Sequence, residues 1–360
     1  MNKKHIHNFI EKAYREEKFT NKEIINLLKL DNEKSQELFE AADFIRKKYV
    51  GDDVHLRGLI EFSNICERNC RYCGLRRDNK KLSRYRLTPE EIFNYAEKCE
   101  KLGYRTVVLQ SGEDSFYTAE IISDIVREIK QRTNLAVALC IGERKREEYE
   151  QIFDAGTDRY LLKFETSDPE LYYKLHPDLK YENRRKKVLE LKEIGYQIGS
   201  GIIVGLPGQT IESIANDIKW FDELELDMIA IGPYIHHPDT PLENIKLNDL
   251  SLVLKIVAIT RIITKDTLIP ATTAISTIDV FNGRQRILKA GGNVIMPNVT
   301  PVYLRKKYEI YPKNKKLYIE PEKLKEEIEK MVVSMERKVA KKRGDSYKRY
   351  PLHKKLVLQE

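Results

Sequence analysis

Three of the five cysteines in this 360-residue chain fall within eight residues. Cys66, Cys70 and Cys73, in SNICERNCRYCGLRRDN, are spaced Cys-x3-Cys-x2-Cys, so three thiolates from one loop can converge on a single inorganic centre. An odd count clustered in this way is not a disulfide framework and points to a reducing compartment and a metal. A structural zinc site closes its tetrahedron with four protein ligands, but the loop holds no fourth Cys or His, and the nearest His, His55, lies upstream. Three thiolates suit a cubane iron–sulfur cluster, which normally takes four, and the iron left over is open to a small chelating molecule. Of the other two cysteines, Cys140 reads as a small buried hydrophobe, and Cys99 has no visible partner.

Such a loop must be carried by a rigid frame. From Leu59 onward, short apolar runs alternate with amphipathic helical segments, and eight such units are counted. The strand candidates are residues 57–65, 105–111, 135–141, 159–164, 197–204, 227–232, 268–273 and 293–297. Thr88-Pro89-Glu90-Glu91 reads as a helix start, with Thr88 as cap and Pro89 at the first helical position. Eight βα units imply an α/β fold, a (β/α)8 TIM-type barrel without sequence repeat, and chemistry in such barrels sits where strands end. The organisation expected is a helical extension over 1–56, the barrel over 57–311, and a C-terminal helix with a basic tail over 312–360. Pro270 and Pro297 sit at strand ends, where proline is tolerated.

The cysteine spacing, with aromatic Tyr72 just before the last Cys, resembles the signature of the radical S-adenosylmethionine (SAM) superfamily. SAM carries an α-amino acid, a ribose diol and an adenine, and the predicted rim supplies a group for each. Arg184 suits the carboxylate through a charge-assisted contact, Glu165 the ribose hydroxyls, and the turn from Gly205 to Gly208 close backbone approach to the base. Arg184, in YENRRKKVLE, reads equally well as an exposed helix residue. A Glu just past an apolar strand end is costly to bury without a partner. His236 and His237 have no carboxylate or thiol at fitting spacing and are read as loop or substrate-facing residues.

The resemblance is also closer than the superfamily. SNICERNCRYCGLRRDNKKLSRYRLTPEEI, VVLQSGED, DRYLLKFET, IVGLPGQT, IGPYIHHPDTPL, IPATTA and NVIMPN resemble the HydE family, the radical SAM maturases of FeFe hydrogenase. This resemblance spans residues 57 to about 311. It implies a cytoplasmic, oxygen-sensitive enzyme with a 4Fe–4S cluster on Cys66, Cys70 and Cys73, SAM chelating the fourth iron, and reductive cleavage to methionine and a 5′-deoxyadenosyl radical. It implies Tyr72, Ser111, Gly112, Glu165, Arg184 and Gly205 at the cofactor, and Gln110, Arg159, Thr272, Thr273, Met296 and Tyr308 at the substrate. The implied substrate is a small organometallic, cysteine-derived species made by a partner maturase, with radical attack at its sulfur; an electron donor is also required. Some family members carry a second cluster on three C-terminal cysteines, and YPKNKKLYIEPEK has none, so one cluster is expected.

Composition narrows the remaining classes. With 41% hydrophobic residues, 33% charged, 20 Tyr and 11 Phe, the chain is neither disordered nor low-complexity. No apolar run approaches a membrane span, and the start, MNKKHIHNFIEK, has no apolar h-region. The net charge of +8 equals that of residues 337–355 alone, where nine basic residues face Asp345. A nucleic-acid binder usually spreads its basic residues over a folded face, so the tail is expected to be solvated and nucleic acid is not an expected partner. Another radical SAM activity on the same barrel, such as a methylornithine synthase-like mutase or a maturase of a different metal centre, is the alternative. Sulfur insertion of the biotin synthase kind needs ligands for a second cluster that Cys99 and Cys140 are too few to supply. A binding module with a structural metal and an RNA-binding tail is the non-enzyme alternative, and it has no use for an open iron.

Overall fold

Runs such as TVVLQS and AVALC have the apolar, β-branched composition of strands covered on both faces, and they pair in parallel. The structure, a computed structural model, describes residues 3–15, 17–242, 244 and 250–348. The chain opens with α1 (Lys3–Tyr14), α2 (Asn21–Leu28) and α3 (Asn32–Val50), then enters β1 (Asp53–Leu56) and β2 (Gly58–Ser63). Alternation follows through α4 (Pro89–Lys101), β3 (Thr106–Ser111), α5 (Ala119–Arg132), β4 (Ala136–Cys140), α6 (Arg146–Asp154) and β5 (Arg159–Leu161). Next come α7 (Pro169–Leu175), α8 (Tyr181–Ile194), β6 (Gln197–Val204), α9 (Ile211–Glu223), β7 (Met228–Pro233), α10 (Ser251–Thr264) and β8 (Pro270–Ala271). The remainder is α11 (Thr273–Ile278), α12 (Gly283–Lys289), β9 (Val294–Ile295), α13 (Val302–Arg305), α14 (Pro321–Ser334) and β10 (Lys338–Val339).

Strands β2 to β7 form one parallel sheet in sequence order, and β8, β9, β1 and β10 form a second. Bridges Met228–Leu268 and Leu59–Asn298 join the two, so backbone pairing runs round β2 to β9 as an eight-stranded barrel. Seven of the runs predicted as strands hold one of these eight, and the eighth, 227–232, overlaps β7, which runs one residue further to Pro233. Side chains alternate about the wall, as a strand's period of two requires. Leu59, Val108, Ala138 and Met296 meet in the lumen, with Leu161, Met228, Ala230 and Val294 nearby, while Ile60, Phe62, Val107 and Leu109 join the core under the helices. The capping box of Thr88 and Glu91 forms, with Pro89 in the first turn of α4.

The N-terminal helices pack against the barrel through α10, which is buried nearly all round and lies along α3. Lys255, inside α10, donates to the carbonyls of Leu28 (3.1 Å), the last residue of α2, and Leu30 (2.5 Å), just past it. A buried ammonium is tolerated there because it supplies donors to a helix end that lacks them.

The C-terminal segment departs from the sequence expectation. Residues 337–348 are not a solvated tail: β10 pairs with β1, and the chain then crosses the barrel mouth where the strands begin. Asp345 lies 2.6 Å from Arg159 and accepts from Gln197 Nε2 at 2.9 Å. Arg57 donates to the Gly344 carbonyl at 3.0 Å, Ser346 to Asp227, and Arg343 to Asp158. The charge run misled because several of its cations are internal ligands of carbonyls and carboxylates. Its continuation from residue 349 to 355 lies outside the described residues.

Candidate active site

The cysteine loop joins β2 to α4 and is held by its backbone. Arg84 donates to the carbonyls of Asn64 (2.6 Å), Leu75 (2.9 Å), Arg76 (2.8 Å) and Asn79 (3.1 Å), drawing the loop around one guanidinium. Asn64 donates to Ser83 O and Lys307 O and accepts from Tyr85 N. Asp114 takes a two-pronged contact from Arg86, at 2.8 Å twice, and a hydrogen bond from Ser63, so the loop after β3 is tied to both loop ends. Gly112 is required by proximity: a Cβ there would lie 2.2 Å from the Ile65 carbonyl and 2.7 Å from Cys66 Cβ.

Within this frame the thiols sense one another. Burial pushes Cys70 well up and Cys73 up to about 12, and the neighbouring cysteines add to both shifts. Burial also raises Cys66. Thiols raised in this way deprotonate when a metal replaces the proton. Among the described residues no three His, Cys, Asp or Glu side chains gather on a single-ion position. Three thiols on one loop, with no fourth Cys or His in it, are a donor set that fits a cubane cluster with one iron left open.

Two rim loops stand beside them. The Tyr72 hydroxyl lies 3.0 Å from His176 Nε2, and His176 Nδ1 lies 3.0 Å from the Tyr172 carbonyl. Burial holds the imidazole neutral, pushed down to about 3, so it donates to Tyr172 and accepts from Tyr72. The Tyr72 phenol is pushed well up by burial and then by the charge of Glu165, which places Glu165 at the loop. Glu165 has φ +65°, a left-handed conformation that costs a non-glycine residue on the order of 1–3 kcal/mol and clusters at functional sites. Its buried Oε2 is 2.8 Å from Lys163 Nζ, an ion pair within the rim. Arg184 is buried, not exposed, with Nε 2.8 Å from Glu143 and 3.3 Å from the Tyr172 hydroxyl. Gly205, at φ +87°, turns the chain after β6, and Gln209 secures the turn by accepting from Gly205 N.

Other expected residues line the lumen beneath that rim. Gln110 Nε2 donates to the hydroxyl of fully buried Tyr308 at 3.2 Å, and Ser111 donates to the Gly112 carbonyl. Thr272 caps no backbone group, and its buried Oγ1 has no partner; Thr273 opens α11. Met296 packs between Leu59, Val108 and Ala138, and Cys140 joins the adjoining lumen cluster. His237 packs against the cysteine loop, where a Cβ at Gly74 would meet its ring. One residue is placed elsewhere. Arg159 is the first residue of β5, at the opposite end of the barrel from the cysteines, and its guanidinium is taken by Asp345, Gln197 and Thr106.

Sequence reasoning passed over Arg84, Lys163, Tyr172 and His176, whose roles rest on side-chain contacts within folded loops that residue types and spacing do not display. It also passed over Glu61 and Lys313, a buried ion pair at 3.0 Å. A charged residue inside the apolar run LIEF was the available signal for Glu61.

Residues 60–221 match the model of the Radical SAM superfamily. The chain is 53% identical over 304 residues to the [FeFe] hydrogenase maturase subunit HydE of Thermotoga maritima, covering 84% of this chain and 86% of that protein. It is 32% identical over 272 residues to 3-methylornithine synthase of Methanosarcina acetivorans, covering 75% of this chain and 76% of the relative. The crystal structure of methylornithine synthase superposes with a TM-score of 0.81 at 26% identity, over 92% of this chain and 97% of the other. Among the described residues no helix is long and apolar enough to cross a membrane. The chain is an enzyme of the radical SAM superfamily and belongs, within it, to the family of the [FeFe] hydrogenase maturase subunit HydE.

Proposed function

We propose that this enzyme cleaves SAM reductively and acts in building the di-iron subcluster of FeFe hydrogenase, with residues 57–311 carrying the chemistry. The observation that carries the reading is the single rim on which three mutually sensing thiols, the strained Glu165 and the buried Arg184 stand above a polar-edged lumen. Cys66, Cys70 and Cys73 would hold one 4Fe–4S cluster. When bound, that group supplies the electron that splits SAM into methionine and a 5′-deoxyadenosyl radical. Arg184 would exchange Glu143 for the SAM carboxylate, a partner of the same charge and shape. The Glu165 carboxylate, held at Oε2 by Lys163, would accept from the ribose hydroxyls, and Tyr72, Ser111, Gly112 and Gly205 would border the cofactor. Gln110, Tyr308, Thr272, Thr273 and Met296 would hold a cysteine-derived organometallic substrate out of water. Arg159 is left out of this set because Asp345 already occupies it. The reading places the enzyme in the cytoplasm with a partner maturase supplying substrate and a separate protein supplying electrons.

Anaerobic reconstitution with iron and sulfide, followed by EPR of the reduced protein with and without SAM and assay for 5′-deoxyadenosine, tests this. A reduced-cluster signal that changes on adding SAM, together with product, is expected. A signal indifferent to SAM overturns the reading. The substrate side has its own test. Replacing Thr272 and Thr273 by Val should lower hydrogenase maturation roughly tenfold, the loss of one to two hydrogen bonds, with SAM affinity changed less than twofold. A comparable loss of SAM affinity would move these hydroxyls to the cofactor.

A further inference from the structure

Glu61 is the one ionisable residue of β2, and it faces the lumen. It lies two residues beyond Leu59, on the same face as that lumen-packed side chain, and pairs in register with Gln110. Its side chain is 4% exposed and that of Lys313, 3.0 Å away, 6%. Lys313 reaches in from the segment after Tyr311, with Nζ 5.4 Å from the centre of the Tyr308 ring. Glu61 Oε1 takes one N–H of Lys313, while its Oε2 is buried and accepts no hydrogen bond. Burial and the Glu61 charge both push the Tyr308 phenol up, which ties the pair to the Gln110–Tyr308 wall.

Stability does not account for this pair. A buried ion pair is often matched or bettered by apolar packing of the same volume, and a carboxylate oxygen left without a donor adds cost. The pair presents an unfilled acceptor beside an ammonium with N–H groups to spare. Adding a lone cation or a lone anion would leave net charge in a desolvated site. A zwitterion adds none, and an α-amino-acid head carries both required groups on one carbon.

We propose that the Glu61–Lys313 pair binds the α-amino-acid head of the substrate, with Glu61 Oε2 accepting from the ammonium and Lys313 donating to the carboxylate. This rests on the reading of the substrate as cysteine-derived and adds which part of it is recognised and by which residues. It assigns the segment after Tyr311 a share in the substrate site.

Isothermal titration of the reconstituted, SAM-loaded protein with three probes tests it. The probes are L-cysteine, 3-mercaptopropionate, which lacks the ammonium, and cysteamine, which lacks the carboxylate. The wild-type protein is expected to prefer L-cysteine over each by about tenfold or more, the scale of one lost charged hydrogen bond. Glu61→Gln should bring L-cysteine and 3-mercaptopropionate within about twofold of each other. Lys313→Met should do the same for L-cysteine and cysteamine. The double variant leaves no unpaired buried charge and should discriminate against neither, so agreement between single and double variants separates recognition from misfolding. Preference retained in Glu61→Gln overturns the proposal and leaves the proposed function standing. Failure of all three probes to bind the wild-type protein overturns it together with the cysteine-derived substrate.

Discussion

Cys70→Ala is expected to reduce SAM cleavage to background while leaving the barrel folded. Each thiolate of a three-ligand site is indispensable, because the fourth position must stay open for the chelating molecule. The loop's shape, by contrast, rests on groups other than sulfur. Arg84 binds four loop carbonyls and Asn64 binds three further backbone groups, and none of these contacts involves Cys70. Trimming one sulfur from the loop should cost about 1 kcal/mol, at the lower end for buried-atom deletions, so circular dichroism and melting should stay close to wild type. The reverse outcome is expected of Arg84→Met, which keeps all three thiols but releases the carbonyls they hang from. Sustained 5′-deoxyadenosine production by Cys70→Ala would remove this loop from the cofactor site.

The site was legible in the sequence wherever its chemistry is local. Three cysteines in one loop need no tertiary information, and the cap at Thr88 is written in four consecutive residues. The rim positions of Glu165, Gly205 and Thr272 followed from the strand ends alone, since a barrel gathers its βα loops on one face. Groups whose partners lie far along the chain were not legible. Arg184 reads equally as a carboxylate ligand and as an exposed helix residue until α8 is packed and Glu143 arrives from the loop after β4. Arg159 carried a family role by position in a motif, yet it is the first residue of β5, well before the rim residue Glu165, and so stands at the opposite end of the barrel. The basic tail misled for a related reason: composition counts charges but does not show which are already bound.

Asp345→Ala is expected to destabilise the fold by about 2–3 kcal/mol, lowering Tm by roughly 5 °C, with little effect on the cysteine loop. Removing one partner of a buried ion pair costs about 3–5 kcal/mol because the other charge is stranded. Asp345 is 43% exposed while Arg159 is 5%, so water can reach part of the vacated space and the estimate is taken below that range; the Tm scale follows from the entropy of unfolding a chain of this size. The stranded charge would not be alone. Arg57 is fully buried nearby, held down by desolvation and then by Arg159, with its Nε lacking a partner. Removing Asp345 thus takes away the carboxylate that offsets both buried guanidiniums, leaving Arg159 only the more distant charges of Asp158 and Asp227. Arg159→Met in the same chain should recover part of the loss, and a double-mutant cycle isolates the coupling. If Arg159 instead served substrate, Arg159→Met would abolish maturation at unchanged Tm, and Asp345→Ala would melt within 1 °C of wild type. Coupled loss and recovery of Tm would establish the C-terminal segment as the floor of the barrel, closing the end opposite the thiols so that the lumen opens toward the SAM rim alone.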